Sequence, residues 1–154
     1  MERRDFMALL GSAATMVPSI GAAPARAGEP GRLLTGTWSF VSSINTRKDG
    51  SVVDRWGPNP RGMLMFDGAG HFTQIITGTE SVMFGPKVFS GFGEYSLDRE
   101  KSVLSLNYHG CSVGKLVGAP QQRRIAVLSA DQLKYINFVT ATEATVEVLW
   151  RRLA

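Results

Sequence analysis

Arg123 makes the heaviest demand of any residue in this chain. It stands in Arg123-Arg124-Ile125-Ala126-Val127-Leu128, an alternating run in which Arg123 shares one face with Ile125 and Val127. If that face turns inward, a guanidinium goes with it, and a buried cation is costly unless it meets an acid or several acceptors. The same alternation groups Phe72, Gln74 and Ile76, then Gly93, Tyr95 and Leu97, then Leu104, Leu106 and Tyr108, then Leu133, Tyr135 and Asn137. These faces are mostly hydrocarbon with a few polar heads, which is how small-ligand pockets are lined. Gln74 and Asn137 cannot neutralise Arg123, whereas a ligand carboxylate could. The candidate ligand-binding residues are therefore Phe72, Gln74, Tyr95, Leu104, Leu106, Tyr108, Arg123, Tyr135 and Asn137. The competing arrangement is a filled interior in which these side chains satisfy one another.

Catalytic chemistry finds less support. No G-x-S-x-G, Ser/His/Asp spacing or paired-carboxylate motif is present. His109, at the end of its strand beside Gly110, is the candidate general base, with a solvent-exposed histidine as the plain alternative. Glu94 is in phase with Phe92 and is expected to face outward. Cys111 is a reactive thiol only if a neighbour lowers its pKa, and Lys115 is the nearest cation in sequence. Cys111 is also the only cysteine, and His71 and His109 are the only histidines. That excludes an internal disulfide and matches no zinc pattern, so no metal or cofactor is expected.

The elements that position these residues are short strands between turn signals. Thr37 to Ser42 alternates and is followed by the turn Lys48-Asp49-Gly50-Ser51; Val52 to Trp56 reads as a second strand. Gly57-Pro58-Asn59-Pro60-Arg61-Gly62 breaks it, because two prolines cannot continue a ladder. Met63 to Phe66 and His71 to Ile76 flank Asp67-Gly68-Ala69-Gly70, and Val88 to Leu97 and Val103 to Tyr108 flank Asp98-Arg99-Glu100-Lys101. Arg123 to Leu128, Leu133 to Phe138 and Thr145 to Arg152 complete the series. The order predicts an all-β, up-and-down antiparallel β-barrel of about 8–9 strands, with a two-sheet sandwich as the competitor. Thr77 to Lys87 and Gly110 to Gln121 are expected as long loops at the mouth or across it.

Ahead of the barrel, residues 1–27 read as an export signal. Arg3 and Arg4 precede a run of small and apolar residues that ends in Ala25-Arg26-Ala27, an A-x-A cleavage pattern. The run is too short and too rich in small residues to span a bilayer, and the paired arginines resemble a twin-arginine signal. Residues 28–154 are then one domain in the periplasm or outside the cell, with no stable membrane insertion. The segment takes three arginines and two acids with it, so the excess of +4 becomes about +3. The remaining arginines are scattered and no basic face is interleaved with aromatics, which argues against nucleic acid.

Several motifs in order bring a resemblance. Gly36-Thr37-Trp38 is a G-x-W. Then come Gly57-Pro58-Asn59-Pro60-Arg61-Gly62, Phe66-Asp67-Gly68-Ala69-Gly70-His71-Phe72 and Gly93-Glu94-Tyr95-Ser96, and later Val117-Gly118, Arg123 and Leu149-Trp150-Arg151-Arg152. Over nearly all of residues 28–154 this resembles the bacterial lipocalin-like domain family. The resemblance implies a closed calycin-type barrel around an apolar cavity. It also implies that Trp38 plugs the closed end with Arg152 across its face. The chain departs from the family at Leu106-Asn107, where a His-rich strand end is common, and at Gly114-Lys115-Leu116, where Pro-Asn-Trp is common.

Three functions compete on these grounds. The favoured one is a binding protein for a small hydrophobic or amphipathic molecule, which would carry a carboxylate for Arg123. The second is a barrel enzyme of isomerase or cyclase type acting on a polyketide-like or fatty substrate, with His109, Tyr95 or Tyr108 moving the proton; His109 inside the cavity would support it. The third is a periplasmic inhibitor, which an N-terminal arm projecting from Gly28 to Leu33 would support.

Overall fold

In a computed structural model, residues 29–81, 85–138 and 143–153 are described. The export signal expected at 1–27 lies outside the described residues. A short helix, α1 (Glu29–Leu34), leads into β1 (Gly36–Arg47), β2 (Val52–Val53), β3 (Arg61–Phe66), β4 (His71–Ser81), β5 (Gly85–Asp98), β6 (Val103–Cys111), β7 (Gln121–Leu128), β8 (Gln132–Phe138) and β9 (Glu143–Arg152).

Each strand from β3 to β9 pairs antiparallel with its successor, β1 pairs with β3, and β9 returns to pair with β1. The return makes a closed eight-stranded antiparallel barrel, with β2 as one extra strand against the far half of β1. Two facing sheets would leave β1 and β9 as edges. Their register from Trp38↔Arg152 to Arg47↔Glu143 rules out the sandwich.

The inner face carries the core. Trp38, Leu64, Leu104, Leu106, Leu133 and Trp150 are completely buried, while Met63, Met65, Ile75 and Phe92, one residue out of phase, lie exposed on the outer wall. At one end α1 packs Leu34 beneath Trp38, whose indole Nε1 donates to the Leu34 carbonyl at 2.9 Å. The Arg152 guanidinium carbon lies 4.1 Å from the Trp38 ring centroid. Its nitrogens donate to the Thr35 carbonyl at 2.8 Å and to the carbonyls of Leu33 and Ala130. Arg152 thus places a cation on the carbonyls that end the helix, where positive charge is favoured.

Several element bounds differ from expectation, each for a local reason. The second strand ends at Val53 rather than Trp56, because the Asp54 carboxylate accepts from the N–H groups of Trp56 and Gly57 and turns the chain. No long loop spans Thr77 to Lys87. The β4 strand continues to Ser81 and β5 starts at Gly85, with a register shift after Thr77 that lets Thr79 N–H bond the Trp56 carbonyl at 2.9 Å. Gly110 to Gln121 is also shorter as a loop. The β6 strand runs to Cys111, and a 3-10 turn at Gly114–Leu116 brings Leu116 onto the core and Val117 beside Tyr108.

Candidate functional site

Five of the nine candidate residues gather round one part of the interior. Tyr108 is its centre. The ring makes edge contacts with Phe72 (centroids 5.0 Å apart) and Phe89 (6.1 Å), and it lies over Gly91, where a Cβ would come within 2.6 Å of it. The Tyr108 hydroxyl donates to Gln74 Oε1 at 3.2 Å. From β8, the buried Tyr135 approaches the same Gln74 amide. From β7, Arg123 reaches inward between exposed Gln122 and Arg124, and its charge acts on both tyrosine hydroxyls.

These contacts fix the protonation of the cluster. Burial pushes the Tyr108 hydroxyl far above the usual phenol value; neighbouring Tyr135 adds to this, and Arg123 offsets part of it. Burial likewise raises Tyr135, with Arg123 the largest opposing influence. Both phenols stay neutral and act as donors and acceptors rather than bases. Arg123 Nη1 donates to the Gln122 carbonyl at 3.1 Å, and among the described residues no acid pairs with it. The guanidinium is half-buried, with tyrosines for neighbours and its charge unanswered.

The registers arrange the inner face of β1, β9 and β8 in rows. Phe40, Trp150 and Leu133 form one; Ser43, Val148 and Tyr135 form the next; Asn45, Val146 and Asn137 form a third. The rows become more polar away from the Trp38 end. Among the described residues, three buried polar atoms have no hydrogen-bond partner: Asn45 Nδ2, Asn137 Oδ1 and Trp150 Nε1. The Trp150 N–H faces the Tyr135 hydroxyl without reaching hydrogen-bond geometry, while Asn45 Oδ1 accepts from the Ser43 hydroxyl at 3.2 Å.

The remaining candidates go elsewhere. Leu104 and Leu106 are buried apolar wall, and Asn137 lies one row beyond Tyr135. Tyr95 sits low in the barrel, edge-on to Phe66 at 4.8 Å, with its hydroxyl donating to the Asp67 carbonyl at 2.7 Å, so it does not join Tyr135. His109 is not at the cavity. It is the unpaired residue of a bulge between Tyr108 and Gly110 and faces outward, 3.7 Å from the exposed carboxylate of Glu94. Residues 29–34 do not project as an arm, since they form α1 beneath the plug. The bulge at His109 also turns Cys111 inward beside Tyr108, with Sγ accepting from Val113 N–H at 3.4 Å.

Asn45 and the Trp150 N–H were not among the sequence candidates. A register shift between Phe40 and Ser42 inverts the alternation of β1, so residues that continue Trp38 and Phe40 in sequence phase face outward, and Ser43 and Asn45 face inward. Beside this bulge the wall opens as a cleft of about 310 Å³ between β1 and the 54–60 segment, lined by Ser43, Ile44, Trp56 and Pro60 among others. Among the described residues, no three of His, Cys, Asp and Glu gather as metal ligands, and no helix is long and apolar enough to cross a membrane.

No protein-family model matches the sequence, and no curated protein matches it. The chain is similar to designed barrels among solved structures. A redesigned β-barrel shares 19% identity with a TM-score of 0.47, covering 81% of this chain and 96% of that one. The redesigned β-barrel mFAP1, bound to DFHBI, shares 20% identity with a TM-score of 0.43, covering 83% of this chain and 100% of that one.

Proposed function

We propose that this protein is an exported, lipocalin-like carrier that holds one small amphipathic molecule inside the barrel, with the molecule's carboxylate on Arg123. The observation that carries the reading is the inward guanidinium with no acid paired to it among the described residues. A cation in that position is strongly unfavourable alone, and a bound carboxylate supplies both the charge and the acceptors it lacks. The neutral hydroxyls of Tyr108 and Tyr135 both lie within the influence of Arg123; the Tyr108 proton is committed to Gln74 Oε1, and Tyr135 is the one left to donate to the same oxygens. The apolar wall of Phe72, Leu104 and Leu106 accepts the hydrocarbon part. Support for export in this reading comes from the signal-like pattern of residues 1–27, and support for the lipocalin-like likeness from the G-x-W at Gly36-Thr37-Trp38.

The test is calorimetric titration with decanoic acid and with its methyl ester. The acid should bind more tightly than the ester, and Arg123→Met, which keeps most of the stem's packing, should weaken the acid by about 1.5–3 kcal/mol, the range for a charged hydrogen bond. The ester should be affected far less. Equal losses for acid and ester would remove Arg123 from the binding reading.

A further inference from the structure

The interior holds a second polar layer that a plain fatty tail would leave unsatisfied. Asn45 and Asn137 stand on either side of Val146 in one row, and each carries a buried amide atom without a partner, Nδ2 on Asn45 and Oδ1 on Asn137. Asn45 is only 1% exposed, and its other amide atom is already engaged by Ser43. A buried donor or acceptor without a partner is destabilising, because it has given up its water and gained nothing in return. Hydrocarbon packed against this row would keep that cost in place. A carbonyl would serve only the donor Asn45 Nδ2, whereas a hydroxyl both donates and accepts, which suits one orphan donor and one orphan acceptor.

We infer that the molecule carried is a hydroxylated carboxylic acid, with a hydroxyl remote from the carboxylate, read by Asn45 and Asn137. This rests on the assignment of the carboxylate to Arg123. The two asparagines lie one row beyond Tyr135, a step of two residues or roughly 7 Å along a strand. The two polar groups of the ligand are thus separated by several carbons, with the acid against the tyrosine row and the oxygen against the amide row. The amides then select among acids of equal length, while Arg123 selects acids over neutral molecules.

The experiment compares decanoic acid with 3-hydroxydecanoic, 6-hydroxydecanoic and 10-hydroxydecanoic acids on the full chain. At least one hydroxy acid should bind about tenfold tighter than decanoic acid, the equivalent of one hydrogen bond gained. In Asn45→Leu and Asn137→Leu the ratio between that hydroxy acid and decanoic acid should fall towards one. Asn45→Ser and Asn137→Ser serve if the leucine variants do not fold, and should reduce the ratio in part. Hydroxy acids that bind no better than decanoic acid would mean the amide row holds only water, and the inference fails while the role of Arg123 stands. A tenfold preference that survives in every variant also overturns it. If none of the four acids binds, the Arg123 reading itself is what has failed.

Discussion

The guanidinium of Arg152 lies over Trp38, 4.1 Å from its ring centroid, while its nitrogens donate to the carbonyls of Leu33, Thr35 and Ala130. One side chain from the last strand therefore secures the plug, the helix end and the β7–β8 turn together. Arg152→Ala should cost about 2–3 kcal/mol from the cation–π contact and the charged hydrogen bonds. Arg151 is exposed on the opposite face, so Arg151→Ala should shift stability by no more than about 0.5 kcal/mol. Urea melts of the two variants decide the matter, and equal losses would contradict the stack.

Trp38→Ala should be among the most damaging single changes, at about 3–5 kcal/mol, because a completely buried indole leaves a cavity that the surrounding strands cannot close. Trp38→Phe keeps most of the apolar volume but loses the bond to the Leu34 carbonyl, so α1 should loosen first. Amide exchange in residues 31–35 reads that directly.

Gly91 leaves room for the Tyr108 ring. Gly91→Ala would push a methyl to within 2.6 Å of it and should destabilise by about 1–3 kcal/mol, the usual cost of overpacking. In Tyr108→Leu the same alanine should cost much less. A double-mutant cycle with no coupling between the two positions would show that the close approach is relaxed elsewhere.

The raised phenols set the alkaline behaviour. Up to the usual tyrosine value of 10.0 the native and unfolded states hold the same phenolic protons. Above it the unfolded chain releases protons that native Tyr108 and Tyr135 keep, so stability should fall as pH rises beyond about 10. Tyr108→Phe should make that fall shallower in melts taken between about pH 9 and pH 11. An unchanged slope would mean that Tyr108 is not shielded as described.

For export, replacing Arg3 and Arg4 by lysine should hold the precursor in the cytoplasm if the paired arginines address the twin-arginine route. Fractionation of cells expressing that variant, and of cells lacking the translocase, gives the answer. Mature protein outside the cytoplasm in the second case would redirect the reading to another export path.

Strict alternation made the inward placement of most of the candidate residues legible. Phe72, Gln74, Leu104, Leu106, Tyr108, Tyr135 and Arg123 lie on strand stretches where no bulge intervenes before them, so parity alone turns them inward. It failed for Asn45 because one extra residue near Val41 inverts β1, and for Cys111 because His109 does the same to β6. Tyr95 has the expected parity but the wrong height. Depth along a tilted strand depends on the stagger between neighbours, which no single strand records. The loop expected at Thr77 to Lys87 is mostly strand instead, and Gly78, lacking a side chain, lets the Trp56 carbonyl approach β4 there.

The seam between β1 and β9 has a kinetic consequence. The bonds from Arg152 to Leu33 and Thr35 join residues 119 and 117 positions apart, and the two strands are the first and last of the ring. Neither the ring nor its floor can exist until almost the whole domain has been made. Chains rich in such distant contacts fold slowly, and until the last strand docks, β1 and β8 offer open edges to any other unfinished chain. Aggregation during synthesis should therefore compete with folding in proportion to the time that β9 remains unmade, and slower elongation over residues 143–152 should lower the yield of soluble protein even though it leaves the finished barrel unchanged.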